Sequence, residues 1–195
     1  MSPVRAKSSA RQRIVETAER LFYAEGLRAV GIDRIIAESE VAKMTLYNHF
    51  ASKDDLIYAV LQYREEQVDA MFERSISRHV KKGHDRLEAF FMALKDWFKS
   101  PGFRGCSFIN AAVELADTSH PASQFASSHK ERFHSMITDT VRETYGVKSV
   151  PLAPAIALMV EGAIITAVME QSPDSADVAR NASKALLPKK AQKKA

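Results

Sequence analysis

The chain has 195 residues, a length that supports one large domain or two small ones with a buried core. Hydrophobic residues make up 46% and charged residues 27%, which is ordinary for a soluble globular protein. The formal net charge is +4, and residues 172–195 account for all of it, with six Lys or Arg against two Asp. The rest of the chain is close to neutral, so the net charge alone does not indicate a nucleic-acid-binding surface.

The single cysteine, Cys106, excludes an internal disulfide and a cysteine-based zinc site. Residues 1–13 lack the apolar core of a secretory signal. The longest apolar run, around residues 156–169, is interrupted by Glu161 and falls short of a membrane span. We therefore expect a cytoplasmic protein with no membrane segment, and the sequence predicts no metal or cofactor.

Apolar residues recur at helical spacing in nearly every segment, and the chain contains only 7 Gly and 7 Pro. This pattern predicts an all-α fold of about nine helices. Gly26 and Gly146 are expected to stop helices, and Ser52 is expected to cap the start of one. The expected helices cover residues 10–25, 32–38, 42–49, 53–80, 85–99, 103–117, 121–145, 151–171 and 174–187.

The segment from Ile32 to Lys53 reads as two short helices with a tight break at residues 39–41. In the second helix Leu46 and Phe50, four residues apart, form an apolar face. The opposite face is mainly polar and carries Lys43, Met44, Thr45, Tyr47, Asn48 and His49. A globular core needs only the apolar face, whereas the major groove of B-DNA is wide enough to admit the polar one.

Residues 14–61 combine an amphipathic helix ending in Gly26, a helix-turn-helix, the sequence TLYNHF at residues 45–50, and Ser52-Lys53. In this combination they closely resemble the N-terminal domain of the tetracycline-repressor-like (TetR) family. The resemblance covers about a quarter of the chain. It implies a homodimeric, ligand-responsive transcriptional repressor that a small molecule releases from a palindromic operator in double-stranded DNA.

The resemblance also implies a domain organisation. A helix-turn-helix DNA-binding domain with a basic N-terminal arm would cover residues 1–53. A divergent helical ligand-binding and dimerisation domain would cover residues 54–187, and a basic disordered tail residues 188–195. For the arm, a solvated terminus is an equally good interpretation.

The sequence departs from the family pattern in three ways. Glu40 stands where the turn usually has Gly, which accepts a positive φ more cheaply. Ala42 replaces a Ser that commonly caps the recognition helix, and Val30-Gly31 replaces a Thr or Ser pair. We expect the fold to survive these changes and the set of phosphate contacts to shrink.

The residues expected at the DNA are Lys43, Met44, Thr45, Tyr47, Asn48, His49 and Lys53. Thr45, Tyr47, His49 and Lys53 are assigned mainly to phosphates, which fix the register of a helix on DNA. Lys43 and Asn48 are the expected base readers, for guanine and adenine respectively, and Met44 suits a thymine methyl. The alternatives are structural: Thr45 and Tyr47 are ordinary surface residues, His49 packs against the first helix, and Lys43 is simply solvated.

The C-terminal part is rich in aromatic residues, which suggests a ligand pocket between helices. The expected lining is Trp97, Phe98, Phe103, Cys106, Asn110, Phe125, His129 and Phe133. Asn110 and His129 are polar residues on apolar stripes, with Glu114 as a third, and a buried polar group needs a partner. A filled core and a satisfied core histidine are the alternatives.

The segment from Pro151 to Gln171 is apolar almost all round, so a second copy of the chain is the natural cover for its outer face. The residues expected at that homodimer interface are Ile156, Val160, Ala163, Ile164, Ala167 and Val168.

Two other functions compete with the regulator. One is a helical small-molecule-binding protein whose head (the helix-turn-helix domain) no longer recognises DNA, as the changes at Val30, Glu40 and Ala42 suggest. The other is thiol chemistry at Cys106 with His129 or His134. Since no nucleophile, base and orienting group stand at a recognisable spacing, we do not expect an enzyme.

Overall fold

The computed structural model describes residues 9–188, which contain nine α-helices, one 3-10 helix and no strand. The helices are α1 Ala10–Glu25, α2 Ile32–Ser39, α3 Lys43–His49, α4 Lys53–Lys81, α5 Arg86–Phe98, α6 Ser107–Leu115, α7 Pro121–Tyr145, α8 Ala153–Glu170 and α9 Ser175–Leu186. The 3-10 helix, Val147–Leu152, precedes α8. The all-α prediction is confirmed. The expected basic arm at residues 1–8 and the tail from residue 189 lie outside the described residues.

The helix expected at residues 103–117 is shorter than predicted at both ends. It begins at Ser107 because Gly105 lies in the left-handed region, with φ +83°. A Cβ at Gly105 would lie 2.9 Å from Val168 Cγ2, so glycine also allows this close approach. At the other end Ala116, with φ +53°, leaves the helical conformation directly after Leu115.

The chain divides into two compact units. One contains residues up to Glu66 together with Ser107–Ser127, and the other contains Gln67–Cys106 and the residues from Ser128 onward. The predicted boundary at residue 53 therefore falls inside the first unit and stays a prediction.

In the first unit, the apolar stripe of α1 forms the core on which α2 and α3 pack. Ile14 and Leu21 of α1 are buried together with Ile35 of α2 and Leu46 of α3. Helices as short as α2 and α3 are marginal alone, so this burial supplies most of their stability.

The start of α4 is capped as predicted. The Ser52 hydroxyl accepts a hydrogen bond from the Asp55 amide at 3.0 Å, and the Asp55 carboxylate accepts one from the Ser52 amide at 3.0 Å. This reciprocal pair satisfies donors at the helix end and places an acidic group in its first turn. The first turn of α4 is thereby fixed directly after α3.

In the second unit, aromatic rings pack in a continuous cluster. Phe72 of α4 lies 5.9 Å from Phe90, 5.8 Å from Trp97 and 5.9 Å from Phe133 between ring centroids. Phe103 lies 5.1 Å from Trp97. These are ordinary contact distances for aromatic pairs, so the rings form a packed core.

The last turns of α4 are anchored to α5 in the same unit by Asp96. Its carboxylate accepts hydrogen bonds from Ser75 at 2.8 Å, Arg78 at 2.6 Å and His79 Nε2 at 2.7 Å. Desolvation opposes the charge, but the hydrogen bonds, His79's foremost, outweigh it and hold the pKa of Asp96 below its usual value. The carboxylate therefore stays ionised and keeps three donors together.

The apolar helix α8 buries one face within the second unit, where Ile156, Val160 and Ile164 are inaccessible to solvent. The Ser175 hydroxyl donates to the Ala163 carbonyl at 2.8 Å and ties the start of α9 to α8. Among the described residues, one helical stretch, Val147–Glu170, has the length and apolar composition of a membrane span. A helix in a protein core meets the same criterion, and this one does not indicate a membrane protein.

Replacing Glu40 by Gly should stabilise the protein. Glu40 adopts φ 53° and ψ 47°, a left-handed conformation that costs a residue with a Cβ energy that glycine does not pay. We expect Glu40→Gly to raise the free energy of unfolding by about 1 kcal/mol, after the larger entropy of glycine in the unfolded chain is included. Urea unfolding followed by circular dichroism measures this change.

Glu40→Ala is the matched control, because it removes the side chain but keeps the Cβ. It should leave stability close to that of the original protein. Equal stability of the Gly and Ala variants would contradict the argument from backbone conformation.

Candidate nucleic-acid interface

The seven-residue helix α3 separates its apolar and polar faces as the sequence predicts. Leu46 is buried and Phe50, just after the helix, is 4% exposed. On the opposite face Met44 is 71% exposed and Tyr47 is 44% exposed. Lys43, Asn48 and His49 are also exposed, and Thr45 is half-buried. The face expected to enter a DNA groove is therefore accessible to solvent.

The turn before α3 keeps its shape without a glycine. The Glu40 amide donates to the Ile36 carbonyl, and the Ser39 hydroxyl donates to the Ile35 carbonyl at 2.6 Å. The Arg13 Nε of α1 donates to the Ser39 carbonyl at 3.3 Å. These bonds hold Glu40 in its left-handed conformation and set the angle between α2 and α3.

The N-terminus of α3 carries no side-chain cap. Ala42 occupies the cap position in an extended conformation and has no hydroxyl to accept a hydrogen bond from the first turn. A serine or threonine there typically stabilises a helix by about 1 kcal/mol. Having Ala42 in place of the family's capping serine therefore lowers the stability of the helix start. The packing of Leu46 and Phe50 offsets this loss.

Lys43, an expected base reader, lies beside an acidic residue. Its Nζ is 3.5 Å from the Asp33 carboxylate of α2, and both side chains are largely exposed. Exposed ion pairs contribute little to stability. Asp33 therefore orients the Lys43 ammonium only weakly. An acceptor that binds the ammonium more strongly can displace Asp33.

Lys53 differs from the other expected DNA contacts, because its ammonium is already bonded within the protein. Its Nζ donates to the Leu27 carbonyl at 2.6 Å and lies 5.8 Å from the Phe22 ring centroid. Burial lowers the pKa of Lys53. The side chain is half-buried and joins the first turn of α4 to the segment after α1.

Several arginines in the same unit are neutralised by carboxylates. Arg20 and Arg34 both pair with Glu38, and Arg34 also pairs with Glu25. These hydrogen bonds lower the pKa of Glu38 and raise that of Arg34. By contrast the Arg11 guanidinium lies 5.4 Å from the Phe50 ring centroid, beside the end of α3. The sequence places Arg11 among the basic residues near the start of α1 but does not reveal its proximity to Phe50.

The residues expected to line a ligand pocket are divided between the two units. Trp97, Phe98 and Phe103 contact one another with ring centroids 5.0–5.8 Å apart in the second unit. Cys106, His129 and Phe133 are buried in that unit too. Asn110 and Phe125 belong to the first unit, where Phe125 packs edge-on against Tyr58 with centroids 5.3 Å apart.

The exposed face of α8 is not the face that the sequence predicted for the homodimer interface. Of the six residues named, Ile156, Val160, Ala163, Ile164 and Ala167 are buried in the protomer, and Val168 is half-buried. The exposed apolar stripe instead carries Leu158, Ile165 and Met169, which are 71%, 47% and 78% exposed. Because the helix is apolar nearly all round, its sequence pattern does not determine which face is buried.

Comparison with known proteins covers almost the whole described chain. The family model described as "Bacterial regulatory proteins, tetR family" matches residues 14–60. A second, "Tetracyclin repressor-like, C-terminal domain", matches residues 83–183.

A solved TetR-family transcriptional regulator from Streptomyces coelicolor is 31% identical, with a TM-score of 0.79, over 91% of this chain and 93% of that one. The HTH-type transcriptional regulator YjdC of Escherichia coli is 20% identical over 91% of this chain and 93% of its own length. An HTH-type transcriptional regulator of Staphylococcus aureus is 46% identical over 52 residues, 27% of this chain and 28% of its own. The chain therefore belongs to the TetR family of bacterial regulatory proteins and is a ligand-responsive, DNA-binding regulator of transcription.

Proposed function

We propose that this regulator is a cytoplasmic repressor that binds a palindromic operator as a homodimer and leaves it when a small molecule binds. The exposed polar face of α3 is the observation that carries the proposal. A core role would bury that face, whereas Tyr47, Asn48 and His49 point to solvent on a helix anchored by Leu46. A helix presented in this way suits the major groove.

Within that face we divide the contacts by chemistry. Thr45, Tyr47 and His49 would contact phosphates, and Arg11 beside Phe50 adds a cation at the same end of α3. Lys43 and Asn48 would read bases, with Met44 against a thymine methyl. Lys53 would have an internal role and would not contact a phosphate, because its ammonium donates to the Leu27 carbonyl.

For the homodimer we propose the exposed sides of α8 and α9. An open groove of about 420 Å³ runs between them, lined by Gly162, Thr166, Val178 and Ala182 among others. Leu158, Ile165 and Met169 flank it at helical spacing as an uncovered apolar stripe. A two-fold partner would cover this surface. Binding to a palindromic operator would require two copies of α3 spaced by about 34 Å or a near-multiple of the helical repeat of DNA.

We propose that the effector binds in the second unit, against the rings of Trp97, Phe98, Phe103 and Phe133. Aromatic side chains suit a flat, largely apolar molecule. Their close packing implies that such a ligand separates rings that otherwise touch, which supplies a difference between ligand-free and ligand-bound states. DNA and effector would then weaken each other's binding by linkage.

DNA recognition is tested by selecting duplexes from a random library with the purified protein and then measuring affinities for the selected operator. Tyr47→Phe should weaken binding to all duplexes about fivefold, because a hydrogen bond to phosphate is lost. The salt dependence should stay the same, because tyrosine carries no charge. Asn48→Ala should instead relax the preference for adenine at one position in each half-site.

Failure of the original protein to enrich any duplex would contradict the proposal. It would favour the alternative of a small-molecule-binding protein with a degenerate head, for which the uncapped start of α3 at Ala42 is the supporting observation.

The homodimer is tested with Ile165→Glu, which places a charge on the exposed stripe of α8. Sedimentation velocity should show a dimer for the original protein and a monomer for the variant, because a buried unpaired carboxylate is costly. Val113→Glu is the matched control, since Val113 is similarly apolar and 72% exposed but lies on α6. A dimeric Ile165→Glu protein would place the interface elsewhere.

Effector binding is tested through Trp97, the only tryptophan in the chain. Small aromatic compounds screened against the protein should change its tryptophan emission, and those that do should release the selected operator in a fluorescence-anisotropy titration. Compounds that displace the operator without changing the emission would place the effector site away from Trp97.

A further inference from the structure

A carboxylate of α6 binds the backbone at the end of α1. The Glu114 carboxylate accepts hydrogen bonds from the Leu27 amide at 2.6 Å and the Arg28 amide at 3.3 Å. Both amides follow the last turn of α1. Hydrogen bonds from amides to a charged acceptor are stronger than those between neutral groups. The sequence identified Glu114 as a polar residue on an apolar stripe but did not reveal this partner.

Gly26 makes room for that carboxylate. Its φ of +94° ends α1, and its amide donates to the Phe22 carbonyl at 2.9 Å. A Cβ at this position would lie 2.9 Å from Glu114 Oε2. Glycine is therefore required here both by its backbone conformation and by the approach of Glu114.

Leu27 is held from a second side by α4. While its amide donates to Glu114, its carbonyl accepts from Lys53 Nζ at 2.6 Å. The charge of Glu114 also opposes the burial effect that lowers the pKa of Lys53. The peptide groups around Leu27 thus join three helices, because α1 ends there, α4 reaches it through Lys53 and α6 reaches it through Glu114.

The packing beside this junction is incomplete. A cavity of about 30 Å³, enough for one or two waters, lies among Phe22, Ile57, Arg64, Ser107 and Glu114. Arg64 Nε and Ser107 Oγ are buried and have no hydrogen-bond partner among the described residues. The hydrogen bonds of Glu114 therefore attach α6 to the end of α1 beside a gap in the packing.

We propose that Glu114 is a positioning residue for DNA binding. By fixing the end of α1 against α4 and α6, it holds the helix on which α2 and α3 pack, and so pre-orients the exposed face of α3. Pre-orientation lowers the entropy lost when the protein docks on DNA, which strengthens binding without any contact between Glu114 and the nucleic acid. The inference rests on the proposed DNA-binding function.

A positioning role and simple charge repulsion predict opposite effects on DNA affinity when Glu114 is removed. A carboxylate that only repels phosphates would, when removed, strengthen DNA binding. A positioning carboxylate would weaken it. Glu66 is an exposed carboxylate on α4 of the same unit. Its removal can have only the first of these two effects.

The test measures affinity for the selected operator at several salt concentrations. Glu114→Ala should weaken binding about tenfold, with the slope against salt unchanged because no cation at the DNA is lost. Glu114→Gln keeps an oxygen that accepts the Leu27 amide, and it should recover most of that loss. Glu66→Ala, which removes the same charge, should bind equally well or slightly more tightly.

Amide hydrogen exchange measured by NMR provides a readout that does not depend on DNA. In Glu114→Ala the Leu27 and Arg28 amides should exchange faster, while amides in the core of α5 keep their protection. Gly26→Ala, which crowds the carboxylate from the other side, should accelerate the same two amides and weaken operator binding.

Unchanged or tighter operator binding by Glu114→Ala would overturn the inference, as would equal effects of the Ala and Gln variants. Lost protection throughout the protein would also overturn it, because Glu114 would then serve the fold as a whole. An original protein that binds no selected duplex contradicts the proposed function itself, which is a distinct result.

Discussion

The DNA-binding part of the molecule depends on the burial of Leu46 and Phe50 by the first unit. Helix α3 has seven residues, too few to be stable alone in water. Its N-terminal cap is an alanine, so local hydrogen bonding contributes less than in a capped helix. The two apolar side chains therefore provide the attachment, and their position on one face leaves Tyr47, Asn48 and His49 outside.

The helical elements were predictable because their signals are local. Gly26 and Gly146 end helices where the sequence places them, and Ser52 caps α4. The exposed side of α3 was also predictable, since two apolar residues four apart determine which face is buried. The start of α6 was not, because the left-handed conformation at Gly105 accompanies a close contact with Val168 that is distant in sequence.

The sites were harder to predict, because they depend on contacts between residues that are far apart in the sequence. Lys53 matches the family signature, yet its ammonium donates to the Leu27 carbonyl, a partner that no spacing indicates. Asn110 and Phe125 share the aromatic surroundings of the expected pocket in sequence, but they belong to the other compact unit. On α8 the apolar pattern had no polar side to orient it, so Ile156 and Val160 were named where Ile165 and Met169 are exposed.

The conformation of Glu40 also affects the local opening of the turn between α2 and α3. The segment from Glu40 to Ala42 combines a left-handed residue with a Cβ, a helix start without a side-chain cap, and no fully buried residue. Such a segment opens at a lower free energy than the surrounding core, independently of global unfolding. Operator recognition would then favour the closed form of this turn over its transient openings. The heat-capacity change and the entropy change of association would then be more negative than those expected for rigid docking.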